Sequence, residues 1–400
     1  MPSMPTFQPP DMTVPVVLDV RVVAGTGGGP DKTILNAPRF LAPSGYHNIC
    51  AYLHPPDDPG FEVLRERANA LGAPLVSITD RGPLDTKVAT ELLAFCRRER
   101  VAIWHGHDYK SNLLGLMLRP FWPMRLVTTV HGWVHHTRRT PLYYAVDRFC
   151  LPFYERVVCV SEDLHHACRK MGVRESRCLL IENAIDTTQF ARRTSRNDAK
   201  RRLGLDPEVF TIGAVGRLSD EKGFDLLIRA VDRLIRDGHN LALRIAGEGS
   251  HRERLEALLA ELGQGDRIRL LGFQSDVLPL YEALDLFVLS SLREGLPNVV
   301  LEAMALEVPV VSTRIAGIPR VIEDGRNGLL VEPGAIDALA AAIARTINDP
   351  ALRLQLAREG RATVELNHSF AVRMDMFRAL YDELLKRQPE PIPARKVASA

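Results

Sequence analysis

Two consecutive doubly wound α/β domains are what this sequence predicts, and three observations predict them. Short β-branched apolar runs alternate with longer amphipathic segments along the whole 400-residue chain. The apolar runs are near-continuous rather than alternating, the pattern of strands in a parallel sheet covered by helices on both faces. The alternation breaks once, over a polar, Arg-rich stretch at 187–205, and then restarts.

The first series of strand-like runs covers 14–23, 49–53, 75–78, 101–104, 125–130, 156–160 and 178–181. Helical periodicity falls between them, near 32–41, 62–71, 86–97, 111–118, 142–153 and 162–170. The second series covers 210–215, 241–246, 268–271, 286–289, 308–312 and 328–331, with helical segments near 224–236, 252–262, 275–284, 299–305, 336–347 and 351–366. The expected organisation is a first domain at 14–190, a linker at 191–206, a second domain at 207–368 and a last helix at 369–387. Residues 1–13 are polar and Pro-rich, and 388–400 mix proline and basic residues with small ones, so both are expected to be disordered.

Composition bounds the function. A chain 46% hydrophobic and 25% charged suits a soluble globular protein with a full core, and a net charge of +2 does not point to nucleic acid. The six cysteines show no CxxC and no zinc-type spacing, and read as buried free thiols in a reducing cytoplasm. Residues 1–13 lack the apolar region of a secretory signal, and no apolar stretch reaches membrane-spanning length. The expected location is cytoplasmic, extending at most to a membrane surface.

The most informative segment runs from Phe210 to Phe224. A buried strand ends in Gly216-Arg217, a polar loop follows, and Lys222-Gly223 opens a helix. Arg217 and Lys222 thus sit at the carboxyl end of a strand beside a helix N-terminus, where ligands bind in open α/β sheets and phosphates favour the helix end. An isolated Arg–Lys pair equally suits an ordinary charged surface loop. The second segment, Ser291 to Met304, adds Glu294 in a loop after a strand and Glu302 about one turn inside a helix. Pro297 suits the first turn of that helix, which would aim the N–H groups near Asn298 and Val299 at a ligand. Carboxylates suit sugar and ribose hydroxyls because each oxygen accepts hydrogen bonds from vicinal OH groups.

Gly216-Arg-Leu-Ser-Asp-Glu-Lys-Gly223, followed by Glu294 and Glu302 with seven residues between them, resembles the retaining glycosyltransferases of family 4, which have the GT-B fold. Gly247-Glu248-Gly249 and Leu271-Gly272-Phe273 match in order and spacing, and the resemblance is strongest over 210–333. It implies two Rossmann-like domains facing across a cleft, with the acceptor on the first and a nucleotide diphosphate sugar on the second. It implies that Arg217 and Lys222 hold the diphosphate and stabilise its departure. Glu294 would meet the transferred sugar and Glu302 the ribose, with Gly216, Gly247, Glu248, Gly272, Phe273, Gly295, Leu296, Asn298 and Val299 also lining the donor. No Asp-x-Asp occurs in the chain, which fits cationic side chains in place of a metal at the leaving group; no cofactor or metal is expected. Where the family often shows Gly, this chain has Ala184.

In the first half, Gly27, Gly28 and Gly29 lie in a glycine loop between a strand and a helix, suited to close approach of an acceptor or phosphate. A dinucleotide fingerprint would need Gly at Pro30 and a Walker A loop Gly at Asp31, so both fail by one residue. His131 follows a strand, and the resemblance places such a histidine against the donor sugar. His105 and His107 could pair on a metal, but the sequence offers no third ligand, so acceptor contact is the expectation. Leu113–Leu118 with Arg119, Phe121, Trp122 and Arg125, and the nearby Trp133, Arg138 and Arg139, suggest a membrane surface. The functional expectation is a metal-independent retaining hexosyltransferase acting on a glycan or lipid-linked acceptor. The alternatives are a GT-B sugar-nucleotide epimerase and a non-catalytic nucleotide-sugar-binding protein.

Overall fold

The computed structural model describes residues 14–83, 85–132, 140–294 and 296–387. The termini expected to be disordered, together with Gly295, Trp133, Arg138 and Arg139, lie outside the described residues. The chain divides into two units, one reaching Glu182 and resuming at Met374, the other spanning Asn183–Arg373.

The first unit is a seven-stranded sheet of β1 (Val16–Val22), β2 (His47–His54), β3 (Leu75–Thr79), β4 (Val101–Gly106), β5 (Arg125–Val130), β6 (Arg156–Cys159) and β7 (Cys178–Leu180), in the order β3-β2-β1-β4-β5-β6-β7. The second is a six-stranded sheet of β8 (Phe210–Val215), β9 (Leu241–Ala246), β10 (Ile268–Gly272), β11 (Leu286–Leu289), β12 (Val310–Thr313) and β13 (Leu329–Val331), in the order β10-β9-β8-β11-β12-β13. Neighbouring strands pair in parallel in both sheets, as near-continuous apolar runs require. Strand order reverses between β1 and β4 and again between β8 and β11, and the carboxyl ends flanking each reversal are where a doubly wound sheet binds ligand.

Helices cover both faces through apolar stripes. Helix Phe224–Arg236 buries Phe224, Leu227, Ile228, Val231 and Leu234 and turns Arg229 and Arg233 to solvent. Each such buried side chain contributes roughly 1.5–3 kcal/mol. Charged residues inside strands are exceptions with a cause: Arg244, in the fully buried β9, donates from Nη1 to the carbonyls of Leu243 and Arg267, both at 2.9 Å. The six cysteines are free and buried, in line with their apolar neighbours. Ala184 is buried and does not take positive φ, so its backbone has no need of the family's glycine.

The stretch expected as a linker is instead part of the second unit. It contains helix Arg196–Arg202, capped by Ser195, and its cations are used for anchoring. Arg192 donates to the carbonyls of Glu282 at 2.7 Å and Leu306 at 3.0 Å. Lys200 is buried, with Nζ 2.5 Å from Asp285 Oδ2 and 2.8 Å from the Val209 carbonyl. A polar composition was the only sequence signal, and it cannot distinguish solvated cations from cations that meet buried carbonyls. The last helix, Phe370–Leu385, starts in the second unit, and from Met374 its residues belong to the first. There the Tyr46 hydroxyl donates to Asp382 Oδ1 at 2.6 Å.

Asp285→Ala should leave the Lys200 ammonium buried without its counter-charge and lower the unfolding free energy by about 3–5 kcal/mol. Urea unfolding followed by circular dichroism measures it; a loss below about 1 kcal/mol would show that this pair does not secure the segment.

Candidate functional site

In the second unit, the loops leaving β8 and β11 meet beside the strand-order reversal. After β8 the chain passes Gly216 and Arg217, makes a short turn at Asp220–Lys222 and enters the next helix through Gly223 at φ +58°. A Cβ at Gly223 would lie 2.4 Å from the Ser290 carbonyl oxygen, so only glycine permits this approach. Ser290 Oγ returns a hydrogen bond to the Lys222 carbonyl at 2.9 Å. Lys222 Nζ is thereby brought into an ion pair with Glu294 Oε1, which also accepts from Ser291 Oγ at 2.9 Å. Arg217 stays exposed, and among the described residues its guanidinium makes no hydrogen bond or ion pair. The Glu221 carboxyl is held below its usual range, chiefly by the Ser219 hydroxyl and then by backbone, with Arg217 and Lys222 adding positive charge.

The loops after β8, β9 and β10 stack through bare backbone. Gly247, at φ +147°, would place a Cβ 1.8 Å from the Gly216 carbonyl oxygen. Gly216 N–H donates to the Ala246 carbonyl at 3.0 Å and Gly247 N–H to the Gly272 carbonyl at 2.8 Å. Glu248 is held by Arg252 Nη1 at 2.6 Å, while Phe273 projects, 75% exposed. Leu296 is buried and Val299 half-buried.

Helix Asn298–Ala305 begins one residue after Pro297, which sits at the cap with extended backbone rather than in the first turn. Its first N–H groups have no intrahelical acceptor, and Asn298 Oδ1 is buried without a hydrogen-bond partner among the described residues. Glu302 is buried, and Tyr281 OH donates to its Oε2 at 3.0 Å. Burial and then Glu302 push the Tyr281 hydroxyl well above its ordinary range. Tyr281 went unnoticed in the sequence; its place one helical turn before β11 carries no motif.

The first unit gathers three histidines at the carboxyl ends of β4 and β5 around a carboxylate inside β1. Asp19, inside β1 and beside His105 in register, is buried. Its Oδ1 lies 2.6 Å from His107 Nε2 and 3.2 Å from His105 Nδ1, and its Oδ2 accepts from Asn48 Nδ2 at 2.6 Å. Burial pushes the Asp19 carboxyl up, while His105 and Asn48 pull it down. His107 Nδ1 lies 3.0 Å from His131 Nε2. His105 is enclosed, its nitrogens bonded to Tyr381 OH at 2.7 Å and Thr129 Oγ1 at 2.8 Å. Acceptor contact by His105 or His107, expected from the sequence, does not fit this burial; His131 is the half-exposed member. The sequence also offered no third partner for the histidine pair. The fold brings Asp19 there, with ligand atoms of Asp19, His105 and His107 all within 4.8 Å of one another. A lone aspartate in the apolar run Val16–Val22 was the available signal.

In the glycine loop, Gly28 N–H donates to Asp31 Oδ2 at 2.6 Å, and Arg21 Nε pairs with Asp31 Oδ1 at 2.7 Å. Gly27 has φ +72°, and Gly28 and Gly29 are exposed at the cap and first residue of helix Gly29–Leu41. A carboxylate already on the loop N–H favours hydroxyl ligands over phosphate there.

Two doubly wound units with ionic side chains at a strand-order reversal define the class of GT-B glycosyltransferases. The family model described as Glycosyl transferases group 1 matches residues 195–363, and Glycosyltransferase Family 4 matches 27–189. The chain belongs to the family 4 glycosyltransferases of GT-B type. The lipopolysaccharide core biosynthesis glycosyltransferase LpsE of Rhizobium meliloti is 38% identical over 41% of this chain and 47% of its own length, so that match spans about half of the relative. The UDP-Gal:alpha-D-GlcNAc-diphosphoundecaprenol alpha-1,3-galactosyltransferase of Escherichia coli is 26% identical over 75% of this chain and 80% of its own. The crystal structure of Anabaena HepE in complex with UDP superposes with a TM-score of 0.76 at 19% identity, covering 92% of this chain and 100% of that one.

Gly247→Ala should force the β8 and β9 loops apart, since the atoms nearest the new methyl are all backbone atoms of Gly216. A fall in thermal midpoint of several degrees is expected; an unchanged midpoint would show that the loops tolerate separation.

Proposed function

We propose that this protein is a retaining, metal-independent hexosyltransferase that moves a sugar from a nucleotide diphosphate sugar to a glycan or lipid-linked acceptor in polysaccharide or glycoconjugate biosynthesis. The observation that carries the reading is the Lys222–Glu294 pair at the strand-order reversal of the second sheet. It sets a cation for the diphosphate directly beside a carboxylate for sugar hydroxyls, and the exposed Arg217 adds a second cation.

On this reading the second unit binds the donor. Arg217 and Lys222 hold the diphosphate, with the N–H groups of Asn298 and Val299 assisting. Glu294 orients the transferring sugar and Glu302 the ribose. Phe273, exposed beside Gly272, supplies a face for the base, close to Gly247 and Glu248. The UDP bound by HepE supports a uridine nucleotide. The first unit binds the acceptor through Gly27, Gly28 and Gly29, and His131 meets the transferring sugar. Transfer is front-face: the bond from the anomeric carbon to the diphosphate oxygen breaks, the acceptor oxygen bonds from the same side, and the departing phosphate takes the acceptor proton. Stabilising that departing charge is the task of the two cations.

The reading extends to the membrane. Leu114 and Leu118 are buried against the sheet, whereas Leu113, Met117, Phe121, Phe149 and Phe153 are exposed. Arg119 and Arg125, which add positive charge nearby, share Glu155. Such a surface suits the boundary between headgroups and acyl chains, and the diphosphoundecaprenol acceptor of the Escherichia coli relative supports a lipid-linked substrate. No helix among the described residues is long and apolar enough to cross a membrane.

Lys222→Ala and Arg217→Ala should each slow transfer from a UDP-sugar at least tenfold with the fold intact, and the parent should keep its rate in excess EDTA. Near-parental turnover in both variants, or activity abolished by chelation, would sink the donor assignment. Co-sedimentation with anionic liposomes should occur at low salt and weaken at physiological salt; no binding at either, with efficient transfer to a soluble acceptor, would remove the membrane part.

A further inference from the structure

We propose that Asp19 and His107 are positioning residues for His131, locking the proton of its neutral imidazole on Nε2. The inference rests on the reading that His131 meets the transferring sugar, and it explains why a carboxylate and two further imidazoles are enclosed behind that residue.

The hydrogen bonds run outward from β1. Asp19 has three partners around its carboxylate: Asn48 Nδ2 at 2.6 Å, His107 Nε2 at 2.6 Å and His105 Nδ1 at 3.2 Å. An amide N–H can only donate, and an ionised carboxylate can only accept. A neutral His107 therefore carries its single proton on Nε2, facing Asp19, and leaves Nδ1 as an acceptor. The nitrogen 3.0 Å from that acceptor is His131 Nε2, which must then be the protonated one. Asp19, His107 and His131 form one chain with one direction, and Nδ1 of His131 becomes its basic nitrogen. A proton arriving on Nδ1 places positive charge on a chain that ends in a carboxylate, so the imidazolium is stabilised without Asp19 itself taking the proton.

The surroundings hold this direction. Thr129 on β5 and Tyr381 on the last helix engage His105, which keeps the second imidazole beside Asp19. A group of this polarity at the core of a sheet costs several kcal/mol unless fully bonded. Packing alone would be served by apolar side chains. The chain instead runs from the buried Asp19 to the half-exposed His131, at the carboxyl ends of β4 and β5 next to the strand-order reversal.

Asp19→Asn tests it. With its oxygen kept by Asn48, the new amide turns its NH2 to His107 Nε2, which reverses the tautomers of His107 and then His131. In protein carrying ¹⁵N-histidine, the parent should show the His131 proton on Nε2 and the variant should show it on Nδ1. The variant should lose at least tenfold in kcat, with donor KM changed less than about threefold. The double variant Asp19→Asn with His131→Ala should be no slower than His131→Ala alone, because Asp19 acts through His131. A parental His131 protonated on Nδ1 would overturn the proposal, and that spectrum decides the matter even if the variant fails to fold. Additive losses in the double variant would overturn it as well. His131→Ala turning over at the parental rate would remove the role of His131, and with it the positioning role, while an Nε2 proton would still establish the direction of the chain.

Discussion

Close contact between bare backbones governs the second unit. The loops leaving β8, β9 and β11 approach so closely that Gly223 and Gly247 leave no room for a methyl group. Lys222, Arg217 and Phe273 each stand next to a glycine of that stacking, and Lys222 in turn pairs with Glu294. The parallel sheet makes the contact possible by delivering every strand's carboxyl end to one edge. Hydrogen bonds such as Gly247 N–H to Gly272 then fix the spacing. Glycine's conformational freedom is used here for proximity.

Both units bury ionisable groups by pairing opposite charges: Lys200 with Asp285 and Lys222 with Glu294 in the second, Lys110 with Asp80 and Arg21 with Asp31 in the first. The first adds a different arrangement, in which the Asp19 carboxylate meets two imidazoles and an amide. That arrangement is suited to holding a direction of hydrogen bonding.

The strands were legible from sequence because burial on both faces leaves a continuous apolar signature, as in Leu286–Leu289 and Leu241–Ala246. The glycines and charges of the β8 loop were legible because they lie within a few residues of one another. What was hidden depends on distant partners. Asp19 and His107 are 88 positions apart, and His105 and Tyr381 are 276 apart. Local periodicity holds no information about such pairs. The Arg-rich run before β8 misled for a related reason: Arg192 meets carbonyls contributed by Glu282 and Leu306, far along the chain.

The last helix raises a matter of timing. Tyr381 and Asp382 complete contacts with His105 and Tyr46, yet they lie beyond the whole of Asn183–Arg373 in the chain. A ribosome must make the entire second unit before it delivers the helix that finishes the first. The first unit therefore waits for its closing helix through the synthesis of nearly two hundred residues, while the second has all of its own residues in one run and can settle earlier. Although it is made second, the second unit is the one that vectorial synthesis allows to finish folding first.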